Sequence, residues 1–327
     1  VHSDTTTGGT ASSPSADARS GEPRPAVAVL GANGSIGRHV VSAFETTGYR
    51  VLAVARKRPP TAAGAGFLEL DLSATSPAEL AEVLTAAGAQ VMVNAVGGWS
   101  PSTEDNQHVH VELVRRLLDA AALMPAPPRL VQIGSVHEYG PVPHGTVTSE
   151  SREPRPQTPY ARSKLAGTEA VLRATGTGQV QGIVLRVVNV FGPDAAAGSF
   201  LGSVVRRLRA LPAGARLRLE VSRDERDYVD VRDLADAVVR AAESPLAGRT
   251  VNIGRGEALD MRRMLGLLVA EAGQDPDVLD LTTGPVSSNG GAWTRADIRS
   301  ARRLLGWAPK IDVRQSLRDM WEAAAEL

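Results

Sequence analysis

At 327 residues, with as many acidic as basic side chains, the chain is long enough for two lobes that share a cleft. Balanced charge spread along the sequence excludes a basic nucleic-acid face and a polybasic membrane anchor. The absence of cysteine excludes a disulfide framework and fits a reducing cytoplasm, no apolar run approaches a membrane span, and the six histidines form no spaced ligand cluster, so no metal is expected.

Residues 1–25 are Ser, Thr, Gly, Ala and Pro with hardly a bulky apolar side chain, and they lack the apolar run of a signal peptide. Such a stretch cannot bury enough surface to offset its ordering entropy, so a disordered tail is expected. Folding begins at 26–30, AVAVL, a buried strand that runs into Gly31-Ala-Asn33-Gly34-Ser35-Ile36-Gly37 and a helix through Phe44. A strand, a glycine-rich turn and a helix N-terminus make a cradle for a pyrophosphate. Gly31 allows the tight turn, Gly34 the approach of phosphate and Gly37 close packing of helix on strand. Asn33, Ser35 and Ile36 complete the expected cradle.

A second strand, 50–55, ends in Arg56-Lys57-Arg58, where an NAD-specific site wants a carboxylate for the ribose 2′-hydroxyl. Arg56 therefore argues for the 2′-phosphate of NADPH, with Lys57 and Arg38 as helpers. A third strand, 67–70, leads to Asp71 and Leu72 at the expected adenine edge, and a helix follows at 77–87. The fourth strand, 90–95, ends in small residues, Ala95, Val96 and Gly97, that let the backbone approach a cofactor. Trp99 just beyond is expected to be exposed, covering a sugar or capping its loop. A helix over 104–124 places Val109, Leu113, Leu117 and Leu118 on one stripe, for the core or a dimer face.

The fifth strand, 130–133, carries Ser135 just past its end. Thr158-Pro159 then reads as a helix start, a capping hydroxyl followed by proline at the first helical position. Tyr160 and Lys164 fall one turn apart on that helix. Only Lys57, Lys164 and Lys310 are lysines among 36 basic residues, so a lysine at this spacing stands out. A hydroxyl, a phenol and an ammonium converging at a sheet edge suit proton relay in carbonyl–alcohol interconversion, with Lys164 expected to favour the Tyr160 phenolate. A sixth strand at 182–188 closes the β-α-β-α rhythm of a doubly wound parallel α/β sheet. Beyond it come a helix at 200–210, a charged loop at 223–230, a helix at 231–243, a strand at 250–253 and two closing helices, one before Gly273 and one from about Val313.

The runs GANGSIG, DL at 71–72, GSVHEYG, YARSK, RVVNVFGP, RDYVDVRDLADAV and LGWAP, in this order, resemble the extended short-chain dehydrogenase/reductases of the nucleotide-sugar-modifying group. The resemblance implies a Rossmann-type NADP-binding domain at 26–188, with return segments at 228–254, and a smaller C-terminal α+β nucleotide-sugar lobe at 189–327. It assigns Ser135, Tyr160 and Lys164 to catalysis, with Tyr160 and Lys164 also against the cofactor. It gives Asn189 and Arg226 to the substrate diphosphate and implies a homodimer; an Arg226 ion pair with Asp230 or Asp233 is the competing reading.

Departures from the family pattern narrow the reaction. Val136 and His137 stand where 4,6-dehydratases carry an Asp-Glu pair, so dehydration is not expected, and His137 is expected to line the sugar pocket. The run from His108 through His110 replaces an asparagine common in epimerases and dehydratases. The expectation is an NADPH-dependent reductase of the C4 ketone of a dTDP-4-keto-6-deoxyhexose in deoxysugar biosynthesis for secondary metabolites. A 4-epimerase with bound NAD and, further off, a non-catalytic NADP-sensing protein are the alternatives.

Overall fold

A computed structural model describes residues 25–58, 66–196, 198–284 and 291–325; the expected disordered tail, all but Pro25, lies outside them. Strand β1 (Ala26–Leu30) is buried along its whole length, as a strand covered on both faces must be. It feeds α1 (Gly37–Thr46), β2 (Arg50–Ala55) and β3 (Phe67–Glu69). Helix α2 (Pro77–Ala86) starts at a capping box in which Ser76 and Glu79 satisfy each other's backbone N–H, and β4 (Ala89–Asn94) follows.

The helix expected over 104–124 is not continuous. Helix α3 (Thr103–Gln107) passes through one π-helical turn, His108–Glu112, into α4 (Leu113–Leu123). The wider turn shifts the face presented on either side of it. Leu113, Leu117 and Leu118 are buried as expected, whereas Val109 is only half-buried and lines a cleft. Next come β5 (Arg129–Ser135), a 3₁₀ turn at Val136–Tyr139, α5 (Pro159–Gly176), β6 (Gln181–Val187) and β7 (Asn189–Phe191). The remainder is α6 (Phe200–Arg209), β8 (Leu217–Val221), β9 (Glu225–Asp230), α7 (Val231–Glu243), β10 (Arg249–Ile253), β11 (Ala258–Asp260), α8 (Met261–Glu271), β12 (Leu279–Thr283), α9 (Arg299–Leu305) and α10 (Val313–Ala323).

Seven parallel strands form the main sheet in the order β10-β6-β5-β4-β1-β2-β3. Alternation sorts its side chains: Val27 and Val29 face α1, α7 and α9, while Ala28 and Leu30 face α2, α4 and α5. Chain direction across the sheet reverses between β1 and β4, and ligands of such sheets bind outside the strand ends there. A three-stranded sheet, β11-β9-β7, and a two-stranded one, β12-β8, surround a third core with α6, α8 and α10. Residues Ala296, Ile298, Ala301, Leu305 and Trp307, expected in the second lobe, pack into the core of the large sheet.

The charged stretch at 223–230 was expected as a loop, yet Glu225–Asp230 is strand β9. Its acids fasten segments distant in the chain, which the composition of the stretch conceals. Asp227 accepts the backbone N–H groups of Arg255, Gly256 and Ala296. Asp230 accepts from Ser316 and Arg232. On α7, Asp233 accepts from the Lys310 and Ile311 backbone. Strands β7, β8, β11 and β12 and helix α9 had no place in the expected order; most are three to seven residues long, too short for a periodic signal. Among the described residues no helix is long and apolar enough to cross a membrane.

Candidate active site

A cleft of about 990 Å³ opens at the β1/β4 reversal. Gly31, Asn33 and Gly34 of the first turn line it, with Arg56 and Lys57 from the end of β2, Asp71 and Leu72 after β3, and Ala95, Val96, Gly97 and Trp99 after β4. Ser35 and Ile36 lie in the turn but do not line the cleft, and Ile36 packs against the core. A Cβ on Gly37 would stand 2.0 Å from the Gly31 carbonyl oxygen, so only glycine lets α1 seat this closely on the turn. The Asn33 side-chain amide donates to the Lys57 carbonyl and ties the turn to the end of β2.

Arg56 and Lys57 are exposed, and among the described residues their charged groups make no ion pair. Arg58 is engaged elsewhere, donating to the Phe67 carbonyl and lying over the Phe67 ring. Arg38, expected as a helper, turns away from the cleft: it donates to the Asn33 carbonyl and pairs with Asp194 at 3.3 Å. Trp99 is 58% exposed at the cleft rim, as expected. Bare backbone at the turn and a carboxylate near one end fit an adenine dinucleotide.

The expected catalytic residues do not line the cleft themselves but stand behind its wall at Gly97 and His110. Ser135 is the last residue of β5, and Tyr160 and Lys164 stand on the first turns of α5. Thr158 caps that helix by accepting the Ala161 N–H, with Pro159 first in the helix. Gly97 has φ +151°, and a Cβ there would lie 3.0 Å from His110 Cε1 and 3.4 Å from Lys164 Nζ. The cleft wall, the His110 imidazole and the Lys164 ammonium thus meet at one point.

Electrostatics at this point differ from expectation. Burial pushes the Tyr160 phenol up to about 12; the Ser135 hydrogen bond pulls it down and the Glu138 charge adds to the rise. The Lys164 ammonium is 6.0 Å from the ring centroid and donates to the Ile133 carbonyl at 3.0 Å, and the phenol stays above its ordinary range. Burial lowers Lys164 itself to about 8, against the pull of Glu138. Two imidazoles flank the phenol edge-on, His110 at 5.4 Å and His137 at 6.1 Å between centroids. Burial holds both neutral, His110 at about 3, lowered further by Lys164, and His137 at about 4, lowered further by Arg226.

Asn189 on β7 is in register with Tyr228 of β9, two residues from Arg226. Asn189 donates to the Asp227 carbonyl, and Arg226 pairs with Asp224 at 2.5 Å, not with Asp230 or Asp233. Asp224 precedes the strand by one residue, whereas the two expected partners are committed to their own fastenings. His137 also lines a narrow recess with Val142, Thr148 and Trp293. The sequence reading passed over Glu138 and Arg186. Glu138 accepts from Arg186 Nε at 2.7 Å, from the Ser135 N–H at 2.9 Å and from Thr168 at 3.0 Å. An acid inside GSVHEYG was the one available signal.

A doubly wound sheet with a dinucleotide-sized cleft, and a serine, a tyrosine and a lysine packed behind its wall, are the features of an oxidoreductase of the short-chain dehydrogenase/reductase class. The chain belongs to the NAD dependent epimerase/dehydratase family, whose model matches residues 27–254, and within it to the nucleotide-sugar group. It is 39% identical over 305 residues to dTDP-6-deoxy-L-talose 4-dehydrogenase (NAD(P)(+)) of Kitasatospora kifunensis, covering 91% of this chain and 95% of that one. It is 30% identical over 200 residues to GDP-6-deoxy-D-mannose reductase of Pseudomonas aeruginosa, covering 58% and 65%. Its fold matches RMD from Pseudomonas aeruginosa, solved with NADPH, at a TM-score of 0.76 and 22% identity, covering 93% of this chain and all of that one.

Proposed function

We propose that the protein is an NADPH-dependent 4-ketoreductase of a dTDP-4-keto-6-deoxyhexose. The observation that carries this reading is a Tyr160 phenol held in its acid form beside Ser135, packed against the His110 wall of a cleft that also presents Arg56 and Lys57. NADPH, when bound, supplies the hydride that C4 accepts. Tyr160 gives its proton to the oxygen of the former carbonyl, and Ser135 donates to the same oxygen to hold the ketone in place. Lys164 returns positive charge to the site as the phenolate forms and hydrogen-bonds the nicotinamide ribose. Asn189 and Arg226 grip the diphosphate, Arg226 exchanging Asp224 for it, so that binding remote from C4 orients the ketone. Hydride and proton enter; alcohol and NADP⁺ leave.

Likeness to the talose 4-dehydrogenase along nearly the whole of both chains supports the dTDP-6-deoxyhexose and the C4 position, since dehydrogenation and ketone reduction are two directions of one reaction. Val136 and His137 supply no carboxylate, and Glu138 points into the protein, which supports reduction over dehydration.

The test is loss of NADPH fluorescence when purified protein meets a dTDP-4-keto-6-deoxyhexose, with Tyr160→Phe as control. Stoichiometric oxidation abolished by the substitution is the expected result. Sugar isomerised without NADPH loss, with tightly held NAD released on denaturation, points instead to a 4-epimerase.

A further inference from the structure

Glu138 is 0% exposed and sits behind all three catalytic side chains. One carboxylate oxygen accepts the Ser135 backbone N–H at 2.9 Å and the Thr168 hydroxyl at 3.0 Å; the other accepts Arg186 Nε at 2.7 Å. Thr168 stands one turn beyond Lys164 on α5, and Arg186 lies on β6. A single carboxylate therefore clamps the strand end that carries Ser135, the helix that carries Tyr160 and Lys164, and the neighbouring strand. It does not reach the sugar side, because these partners hold both oxygens.

We propose that Glu138 is a positioning residue whose buried charge keeps Lys164 in its ammonium form and fixes Ser135 against α5. The charged and titratable groups around the pair are few. Lys164 faces His110 from the π-helical turn and Tyr160 from its own helix; Glu138 faces Arg186 from β6 and Tyr139 from its own turn. His110 stays neutral, and Arg186 is bonded to Glu138 and stacked on Tyr139 at 4.5 Å. Glu138 bonds Thr168, one turn from Lys164, and the Ser135 N–H, two residues from the Ile133 carbonyl that Lys164 holds, and is thus the negative charge placed beside a lysine otherwise penalised by burial. Without it the ammonium would lose its proton earlier as pH rises, since an opposite charge nearby favours the charged form.

The chain contains three lysines, so [ε-¹³C]lysine labelling gives three NMR signals that can be followed in the full protein between about pH 6 and pH 10, with Lys164→Met assigning one. Glu138→Gln should move the Lys164 midpoint to lower pH and leave the Lys57 and Lys310 signals unmoved. If the single variant does not fold, Glu138→Gln/Arg186→Met, which leaves no unpaired guanidinium, should still move the midpoint to lower pH, by a smaller amount because the Arg186 charge that opposed the ammonium is gone as well. In NADPH oxidation, which rests on the proposed reaction, the alkaline limb should move with the midpoint, so that the loss at high pH exceeds by about tenfold the loss near neutrality that a loosened Ser135 brings. A folded variant with an unmoved Lys164 midpoint would overturn the proposal and leave Glu138 a structural ion-pair partner only. A displaced midpoint in a protein that oxidises no NADPH would uphold it and reject the reductase reading instead.

Discussion

The Lys164 ammonium donates to the Ile133 carbonyl at 3.0 Å while its partner in the motif, Tyr160, has its ring centroid 6.0 Å away. The two residues thus share a helix face without sharing a proton. In the proposed reaction Tyr160 enters as a phenol, and the Lys164 charge favours the phenolate that forms. Tyr160→Phe should therefore lower NADPH-dependent ketone reduction by about 10² to 10⁴ while circular dichroism and thermal melting stay unchanged. Near-full activity would remove the tyrosine from the chemistry.

The pH dependence follows with its sign. Burial lowers the Lys164 ammonium to about 8 and raises the Tyr160 phenol to about 12, so the lysine is first to lose its proton as pH rises. Reduction needs both protonated. kcat/KM for the ketone should be level below about pH 8 and fall above it, whereas His110 and His137, already neutral, should add no limb between pH 5 and 7. A limb in that range would assign one of the imidazoles a proton-transfer role.

Arg56→Ala tests cofactor choice. The exposed guanidinium at the end of β2 lines the cleft, and a charge-assisted hydrogen bond to a phosphate lost from such a site should weaken NADPH by about tenfold or more. NADH binding should change little. Fluorescence titration with both cofactors separates this outcome from equal losses, which would reduce Arg56 to a solvated strand end.

Gly97→Ala should impair the site without unfolding the sheet. The new methyl would need a φ of +151° and would lie 3.0 Å from His110 Cε1. Displacing the imidazole and the lysine should lower turnover at unchanged melting temperature. A fully active alanine variant would mean that the wall after β4 shifts freely.

Asp227 joins β9 to the Arg255–Gly256 backbone and to Ala296 through three N–H donors. In Asp227→Asn the new side-chain amide would point a donor at donors, so the substitution should cost about 1–3 kcal/mol in denaturant unfolding at pH 7. Burial raises the folded carboxyl to about 6, above its ordinary 3.8. The stability linked to its protonation is therefore present at low pH and lost as pH rises through about 6. Wild type should gain on the variant, which does not titrate there, as pH falls from 7 to 4; a constant gap would leave Asp227 unperturbed.

Much of the protein was legible from residue order alone because it is encoded locally. Five buried residues before a glycine turn specify β1 and its cradle, Thr158-Pro159 specifies the start of α5, and helical spacing specifies that Tyr160 and Lys164 share a face. Arg56 at a strand end, and the valine and histidine after Ser135, carried the cofactor and reaction readings without any contact being known. Other features needed the folded chain, because they depend on groups brought together from distant segments. Glu138 meets Arg186 and Thr168 only when β5, β6 and α5 pack, and His110 reaches Tyr160 only through the π-helical turn. The acids of β9 read as a loop until Arg255, Ala296, Ser316 and Arg232 were seen to satisfy them. The ionisation of Tyr160 turned on burial and the Glu138 charge outweighing the Ser135 hydrogen bond. Local sequence sets propensity, spacing and which chemical groups are present; desolvation and long-range pairing arise only in the packed tertiary structure, and they decide the charge each group carries.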